Sequence, residues 1–315
     1  MIGEDIKAYK IIHEGDFAYN PARINVGSIA KYDKSEPCMI SSLYVCFKAL
    51  PQINNEWLMQ LLKTPKMNFY YNVNGEGGVR VYLFYPNFAR IRTSYPSLAE
   101  QQKIASFLSI LDQRIETQRK IIEDLKKLKD AISFILFTSE TCDKWELSNL
   151  ATIVMGQSPS SQCYNTDNDG LPLIQGNLDI TKGKLTPRLY SSEMTKKCHT
   201  GDVILTVRAP VGEVAIADFD ACIGRGVCAI RPFNNNYSVL IYQFLQHYKP
   251  KWISLEQGST FTSVSRNDIM SIKIGVPSIQ AIEILNILDD KISIEDVILN
   301  NLNSQKNYLL AQMFI

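Results

Sequence analysis

The residues of this chain best placed to do chemistry are hydrogen-bond donors on loops that also carry glycine or proline. Asn20, Arg23, Asn25 and Ser28 lie within Asn20-Pro21-Ala22-Arg23-Ile24-Asn25-Val26-Gly27-Ser28, and Arg80 follows Gly77-Gly78-Val79. Gln157 and Ser158 follow Gly156, Gln175 and Asn177 flank Gly176, Arg208 precedes Ala209-Pro210, and Ser259 and Thr260 follow Gly258. Asn and Gln can bond adenine through two hydrogen bonds, Arg can do the same to guanine, and Ser or Thr can serve a base or a phosphate. Glycine lets the backbone come close to a ligand. Taken singly, each loop is ordinary turn chemistry. Two related sets of such loops in one chain point to a protein that reads DNA.

Signatures of catalysis are weaker. Asn20-Pro21-Ala22-Arg23 begins like the Asn-Pro-Pro-aromatic motif of amino-methyltransferases but lacks the second proline and the aromatic. Gly176 to Gly183-Lys184 has the wrong spacing for a phosphate loop, and no Ser or Thr follows the lysine. His13, His199 and His247 have no metal-ligand spacing and read as surface or packed residues, and no Asp…Glu-x-Lys cluster stands out. The expectation is therefore no enzyme, no catalytic residue, no cofactor and no metal.

The loops must be positioned by something, and the sequence supplies a duplicated frame. Over residues 96–137, Leu108, Leu111, Ile115, Gln118, Ile122, Leu125, Lys129, Ile132 and Leu136 alternate by three and four. This a/d seam asks a helix to pack lengthwise on another. A helix over 99–137 would be roughly 58 Å long at ~1.5 Å per residue, a spacer rather than a core helix. Its expected partner begins at Pro277, with Leu285, Leu288, Ile292, Glu295, Leu299, Leu302, Lys306, Leu309 and Met313. Aligning Leu111-Asp112 with Leu288-Asp289 places Gln118 opposite Glu295 and Lys129 opposite Lys306 in the alignment. Polar residues at seam sites lower stability but fix register and partner.

The repeat extends beyond the helices. Gly15-Asp16-Phe17 through Val26-Gly27-Ser28-Ile29 parallels Gly201-Asp202-Val203 through Val211-Gly212-Glu213-Val214, each a Gly-Asp turn, a strand, a loop and a second strand. Residues 77–96 parallel 258–277, each expected to end in a strand (88–92 and 269–274) before Pro-Ser opens the long helix. Residues 55–63 and 237–248 read as short apolar helices. Residues 145–200 precede the second Gly-Asp turn but only 1–14 precede the first, so the first unit is expected to lack the front part of its counterpart.

The chain has 315 residues, 45% hydrophobic and 21% charged, with net charge +1, which suits a reader that shares phosphate contacts with partners rather than a strongly basic DNA binder. Seven cysteines without a CxxC pair, no signal-peptide pattern and no apolar run long enough for a bilayer give a cytoplasmic protein without a membrane partner as the expectation.

Pro96-Ser97-Leu98-Ala99-Glu100-Gln101-Gln102-Lys103-Ile104-Ala105, with Leu111-Asp112-Gln113-Arg114-Ile115 and Leu125-Lys126-Lys127-Leu128-Lys129, resembles the central conserved region of the specificity subunits of type I restriction–modification systems. Residues 9–47 resemble the rear half of a target recognition domain; Gly156-Gln157-Ser158-Pro159-Ser160, Gly201-Asp202-Val203-Ile204 and Gly258-Ser259-Thr260 resemble a second. The resemblance implies an α+β fold, with two target-recognition-type domains separated by two long helices packed as an antiparallel coiled coil. Its divisions would be a first target recognition domain at 1–95, a central conserved helix at 96–140, a second target recognition domain at 141–276 and a C-terminal helix at 277–315. It further implies a non-catalytic subunit that reads a bipartite site in double-stranded DNA, one half per domain. The DNA contacts would be Asn20, Arg23, Asn25, Ser28, Arg80, Gln157, Ser158, Gln175, Asn177, Arg208, Ser259 and Thr260. The implied partners are two methyltransferase subunits docked on the helices, with restriction subunits joining for ATP-dependent cleavage. The alternatives are a coiled-coil scaffold that binds proteins without DNA specificity and a stand-alone methyltransferase.

Overall fold

The structure, a computed structural model, describes residues 8–77, 81–140, 142–256 and 263–314. The chain falls into two compact units, residues 1–121 with 295–315 and residues 122–294.

The first unit begins with β1 (Lys10–Ile12), β2 (Phe17–Tyr19), β3 (Ile29–Lys31), β4 (Cys38–Ile40) and β5 (Val45–Phe47). β1 pairs with β4, and a second sheet runs β3-β2-β5, antiparallel throughout. The β2–β3 hairpin starts from the Gly-Asp turn. Gly15 takes a left-handed φ of +84°, and the Asp16 carboxylate accepts the His13 amide at 2.9 Å. The Gly15 and Tyr32 amides then close the ladder on Tyr32 and Asp16 carbonyls at 2.8 Å. Three helices follow: α1 (Asn55–Leu62), α2 (Pro65–Asn74) and α3 (Tyr85–Phe88). Asn54 caps α1 by accepting the Trp57 amide at 2.9 Å, and Thr64 caps α2 by accepting the Met67 amide at 3.2 Å. One face of the sheet, carrying Phe17, Tyr19 and Ile29, packs on Trp57, Leu61 and Tyr71 and on Leu108 and Leu111 of the next helix. That helix is α4 (Leu98–Thr138), opened by a reciprocal Ser97–Glu100 cap.

The second unit is larger. β6 (Lys144–Glu146) is followed by β7 (Ala151–Met155), β8 (Tyr164–Asn165), β9 (Leu171–Ile174), β10 (Ile180–Thr181), β11 (Lys184–Leu185), β12 (Leu189–Ser191) and β13 (Lys197–Cys198). Then come β14 (Val203–Thr206), β15 (Val214–Ile216), β16 (Ala221–Ile223), β17 (Val227–Pro232), α5 (Asn236–Glu256), α6 (Arg266–Met270), β18 (Lys273–Gly275) and α7 (Ile279–Met313). One sheet runs β15-β14-β17-β7 and another runs β13-β16-β9-β12-β8; β10–β11 and β18–β6 form short ladders. One face of the four-stranded sheet, with Val203, Leu205 and Ile230, packs on Ile241 and Leu245 of α5. Its other face, with Ile204, Ala215 and Ala229, packs on Ile174, Cys198 and Ile223.

Every seam position named above is buried or half-buried in α4 and α7. Within the first unit, Gln118 donates to the Glu295 carboxylate and carbonyl, and Lys306 pairs with Asp112, so the helix segments there run antiparallel. Within the second unit, Lys129 pairs with Asp289 at 2.6 Å. Asp112 aligns with Asp289 and Lys306 with Lys129, so the same two aligned positions, one on the seam and one beside it, pair in both units with the roles exchanged.

Two expectations about strands need correction. Residues 88–92 form no strand; Pro86 sits in the first turn of the short α3, which closes at Phe88, and residues 89–92 are turn and loop. Residues 269 and 270 close a helix, because Ser265 and Asp268 form a capping box that starts α6, and the strand begins only at Lys273.

Candidate nucleic-acid interface

The second unit gathers most of the expected reading residues at one edge, where its two larger sheets meet. β7 ends at Met155 and the chain crosses from one sheet to the other: the Gly156 amide bonds the Val227 carbonyl at 3.0 Å, and the Gln157 amide bonds the Ile223 carbonyl at 2.9 Å. A Cβ on Gly156 would stand 2.1 Å from the Gly224 carbonyl oxygen, so the crossing requires glycine. Gln157 is left exposed, its carbonyl accepting the Thr195 hydroxyl. Ser158 turns inward, and its Oγ accepts the Arg225 amide at 3.1 Å. Gln175, at the end of β9, donates from Nε2 to the Tyr164 hydroxyl at 2.8 Å, while its amide bonds the Asp179 carboxylate at 2.8 Å. Asn177 is half-buried in the turn closed by the Asp179 amide on the Gly176 carbonyl. Arg208 is exposed beside Val207, whose amide bonds the Gly226 carbonyl at 2.9 Å. Gln157, Ser158, Gln175 and Arg208 therefore share one edge, with Asn177 next to it.

The first unit presents a smaller group on the β2–β3 loop. Asn20 is a turn residue whose Oδ1 accepts the Ala22 amide at 3.0 Å. Asn25 donates to Asn72 at 3.1 Å. Ser28 is half-buried, its amide bonded to the Arg23 carbonyl at 3.0 Å. Arg23 is exposed where its loop turns into a short 3₁₀ segment anchored by buried Ile24. Arg80, Ser259 and Thr260 lie outside the described residues.

One exposed cation of the second edge was missed. Arg225 stands in the turn Gly224-Arg225-Gly226. Its signal was the flanking glycine pair, the same mark of close backbone approach that drew attention to Gln157 and Gln175.

The groups pushed furthest from their ordinary ionisation in the second unit are core groups. Burial pushes the Cys228 thiol up to about 12, the Cys198 thiol to about 11 and the Tyr242 hydroxyl to about 12. These shifts disfavour the charged forms, the opposite of nucleophile activation. Chemically, the edge offers amide, hydroxyl and guanidinium donors on stiff loops, an arrangement suited to binding.

The family described as the type I restriction modification DNA specificity domain matches this chain twice, over residues 4–127 and 140–304. The MjaX protein of Methanocaldococcus jannaschii, described as a type I restriction enzyme specificity subunit, is 30% identical over 302 residues, covering 88% of this chain and 71% of the relative. Among solved structures, a chain from work on complex assembly and conformational transition of the type I R-M system matches with TM-score 0.67 and 23% identity, over 97% of this chain and 83% of that one. The S subunit from M. genitalium matches with TM-score 0.66 and 17% identity, over 96% and 83%. The HsdS subunit from Thermoanaerobacter tengcongensis gives 0.53 and 22%, over 97% and 82%. At such identities these structures speak to the fold alone. The doubled family match and the curated relative carry the assignment: this chain belongs to the type I restriction modification DNA specificity family and is a specificity subunit, a recognition component rather than a catalytic one.

Proposed function

We propose that this subunit reads a bipartite site in double-stranded DNA, one half with each target recognition domain, and docks two methyltransferase subunits through which restriction subunits join. The observation that carries this is the repetition of one hairpin in both units, down to single hydrogen bonds. The His199 amide bonds Asp202 at 2.9 Å as the His13 amide bonds Asp16, and the Ala217 amide bonds the Asp202 carbonyl at 2.8 Å as Tyr32 does with Asp16. Each hairpin then projects a loop with an exposed arginine, Arg23 or Arg208. Domain divisions at 1–95, 96–140, 141–276 and 277–315 belong to the same reading.

A repeat on the long helices favours two docking sites. Phe107, Ile110 and Ile121 of α4 are exposed at 44%, 56% and 40%. The aligned Ile284, Ile287 and Ile298 of α7 are exposed at 49%, 66% and 39%. Apolar side chains repeated off the seam are surfaces for partners.

The test reconstitutes the chain with its methyltransferase subunit and maps methylated sites on a randomised duplex library. Arg208→Ala should relax one half of the site and Arg23→Ala the other, by roughly tenfold or more in discrimination. Ile110→Asp and Ile287→Asp should each remove one methyltransferase copy from the complex by native mass measurement. A wild-type complex that methylates without sequence preference would overturn the reading.

A further inference from the structure

We propose that Arg225 is a specificity-determining residue of the second target recognition domain, reading a base edge with its guanidinium, and that Ser158 and Gln175 act as the residues that position it. This deepens the reading above and rests on it.

The turn that carries Arg225 is fixed at four points. The Gly224 amide bonds the Ile174 carbonyl at 2.8 Å, and the Gly224 carbonyl accepts the Val227 amide at 3.2 Å. The Arg225 amide bonds Ser158 Oγ at 3.1 Å, and the Gly226 carbonyl accepts the Val207 amide at 2.9 Å. Strands β9 and β17, the β7–β8 crossing and the residue after β14 thus all hold one three-residue turn. Space requires glycine at position 226 and is tight at position 224. A Cβ on Gly226 would lie 2.0 Å from the Gln175 carbonyl oxygen, and one on Gly224 would lie 3.1 Å from Gln175 Cγ and 3.2 Å from Ser158 Oγ. Arg225 has the first side chain in this turn that can leave the surface, and it is exposed.

Its guanidinium makes no hydrogen bond or ion pair to any described residue. Other cations of the same unit do find carboxylates: Arg188 pairs with Asp179, Arg231 with Asp202 and Lys249 with Glu213. Five N–H donors on a planar fork are therefore presented by a stiff backbone, which is the geometry that recognises guanine O6 and N7 through two parallel bonds. Exposed Gln157 and Arg208 are chain neighbours of Ser158 and Val207, two of the residues that hold the turn. By contrast, the Gln175 amide already donates to Tyr164 and the Ser158 hydroxyl already accepts from Arg225, so both are committed inside the protein. Stiffness separates base reading from phosphate contact here, since reading demands that the donor be held in place before the DNA arrives.

The experiment uses the full chain with its methyltransferase subunits and a randomised duplex DNA library, with bound molecules sequenced. Wild type should return a motif in two halves. Arg225→Ala should lose preference at one base pair of one half, by roughly ten- to hundredfold, with the other half unchanged. Arg225→Lys should retain overall affinity while losing part of that preference. Ser158→Ala should weaken preference at the same base pair, and Ser158→Thr, which keeps the hydroxyl, should restore it. An unchanged Arg225→Ala motif, or uniform weakening at every position, would overturn the proposal while the Arg208 result above left the broader reading intact. Wild type returning no motif would overturn both.

Discussion

The two hairpins of this protein share a backbone and differ in what supports them. In the first unit Asp16 is 7% exposed and meets Lys48 at 3.5 Å. In the second, Asp202 is 3% exposed and takes two hydrogen bonds from Arg231, at 3.1 and 2.9 Å. Lys48 and Arg231 occupy the same place, one residue beyond Phe47 and Ile230, the partners of Phe17 and Val203. The sheet faces diverge further. Ile204, Ala215 and Ala229 are sealed beneath the five-stranded sheet. Their counterparts Ala18, Ala30 and Cys46 belong to a face on which a groove of about 480 Å³ opens, lined by Ile12, Ala18, Ala30, Met39 and Tyr44. The hairpin is thus a local device that forms with or without a second layer. The loop edge of the second unit is different in kind: its Gly224-Arg225-Gly226 turn is held by bonds from both of the larger sheets and the loops beside them.

The largest effect should come from the buried carboxylates. Asp202→Ala leaves the half-exposed Arg231 guanidinium and the His199 amide without their acceptor and should cost about 2 kcal/mol, the lost charged hydrogen bonds being partly replaced by water on the arginine. Asp16→Ala, with a longer and more exposed lysine contact, should cost about 1 kcal/mol. Hydrogen exchange of the Ala217 and Tyr32 amides would measure the two hairpins separately; equal losses would break the comparison.

Next come the sheet faces. Ala215→Ile forces a larger side chain into a closed layer and should destabilise the second unit by about 1–3 kcal/mol. Ala30→Ile, at the matching position on the open groove, should change the first unit by less than about 0.5 kcal/mol. Chemical denaturation followed by probes in each unit would show the asymmetry.

The smallest effect separates the units by pH. Burial, then the nearby Lys251 charge, holds the His247 imidazole below its ordinary value; the ring packs 5.7 Å from Phe137 and 6.4 Å from Phe134. With the folded value depressed, the unfolded chain binds more protons in the window between the two values. The contribution is therefore complete above about pH 6.5 and is lost as pH falls through the folded value. His247→Phe should flatten the pH dependence of second-unit stability below about pH 6.5 while leaving the first unit unchanged, as calorimetric scans would show.

The long helices and the hairpins were legible in the sequence because their causes are local. A seam spaced by three and four residues dictates which helix face is buried, and a Gly-Asp turn carries its own left-handed glycine and its own carboxylate acceptor. Strands at 88–92 and 269–274 were misread because alternation within five or six residues is outweighed by a proline or a capping box, as Pro86 and Ser265 show. The candidate contacts were half legible. Residue type singled out Gln157, Ser158, Gln175 and Arg208 as candidates, but could not tell a donor offered to solvent from one already used inside the protein.

The sequence by itself determined the duplicated frame and its matched polar seam sites, Gln118 with Glu295 and Lys129 with Lys306. Only the tertiary structure decided that Lys306 pairs with Asp112 and Lys129 with Asp289, that Ser158 and Gln175 are bonded within the protein, and that Arg225 is exposed on a clamped turn. The physical reason is distance along the chain: the bonds fixing residues 224–226 come from residues 158, 174 and 207, and no local pattern records a contact between segments so far apart.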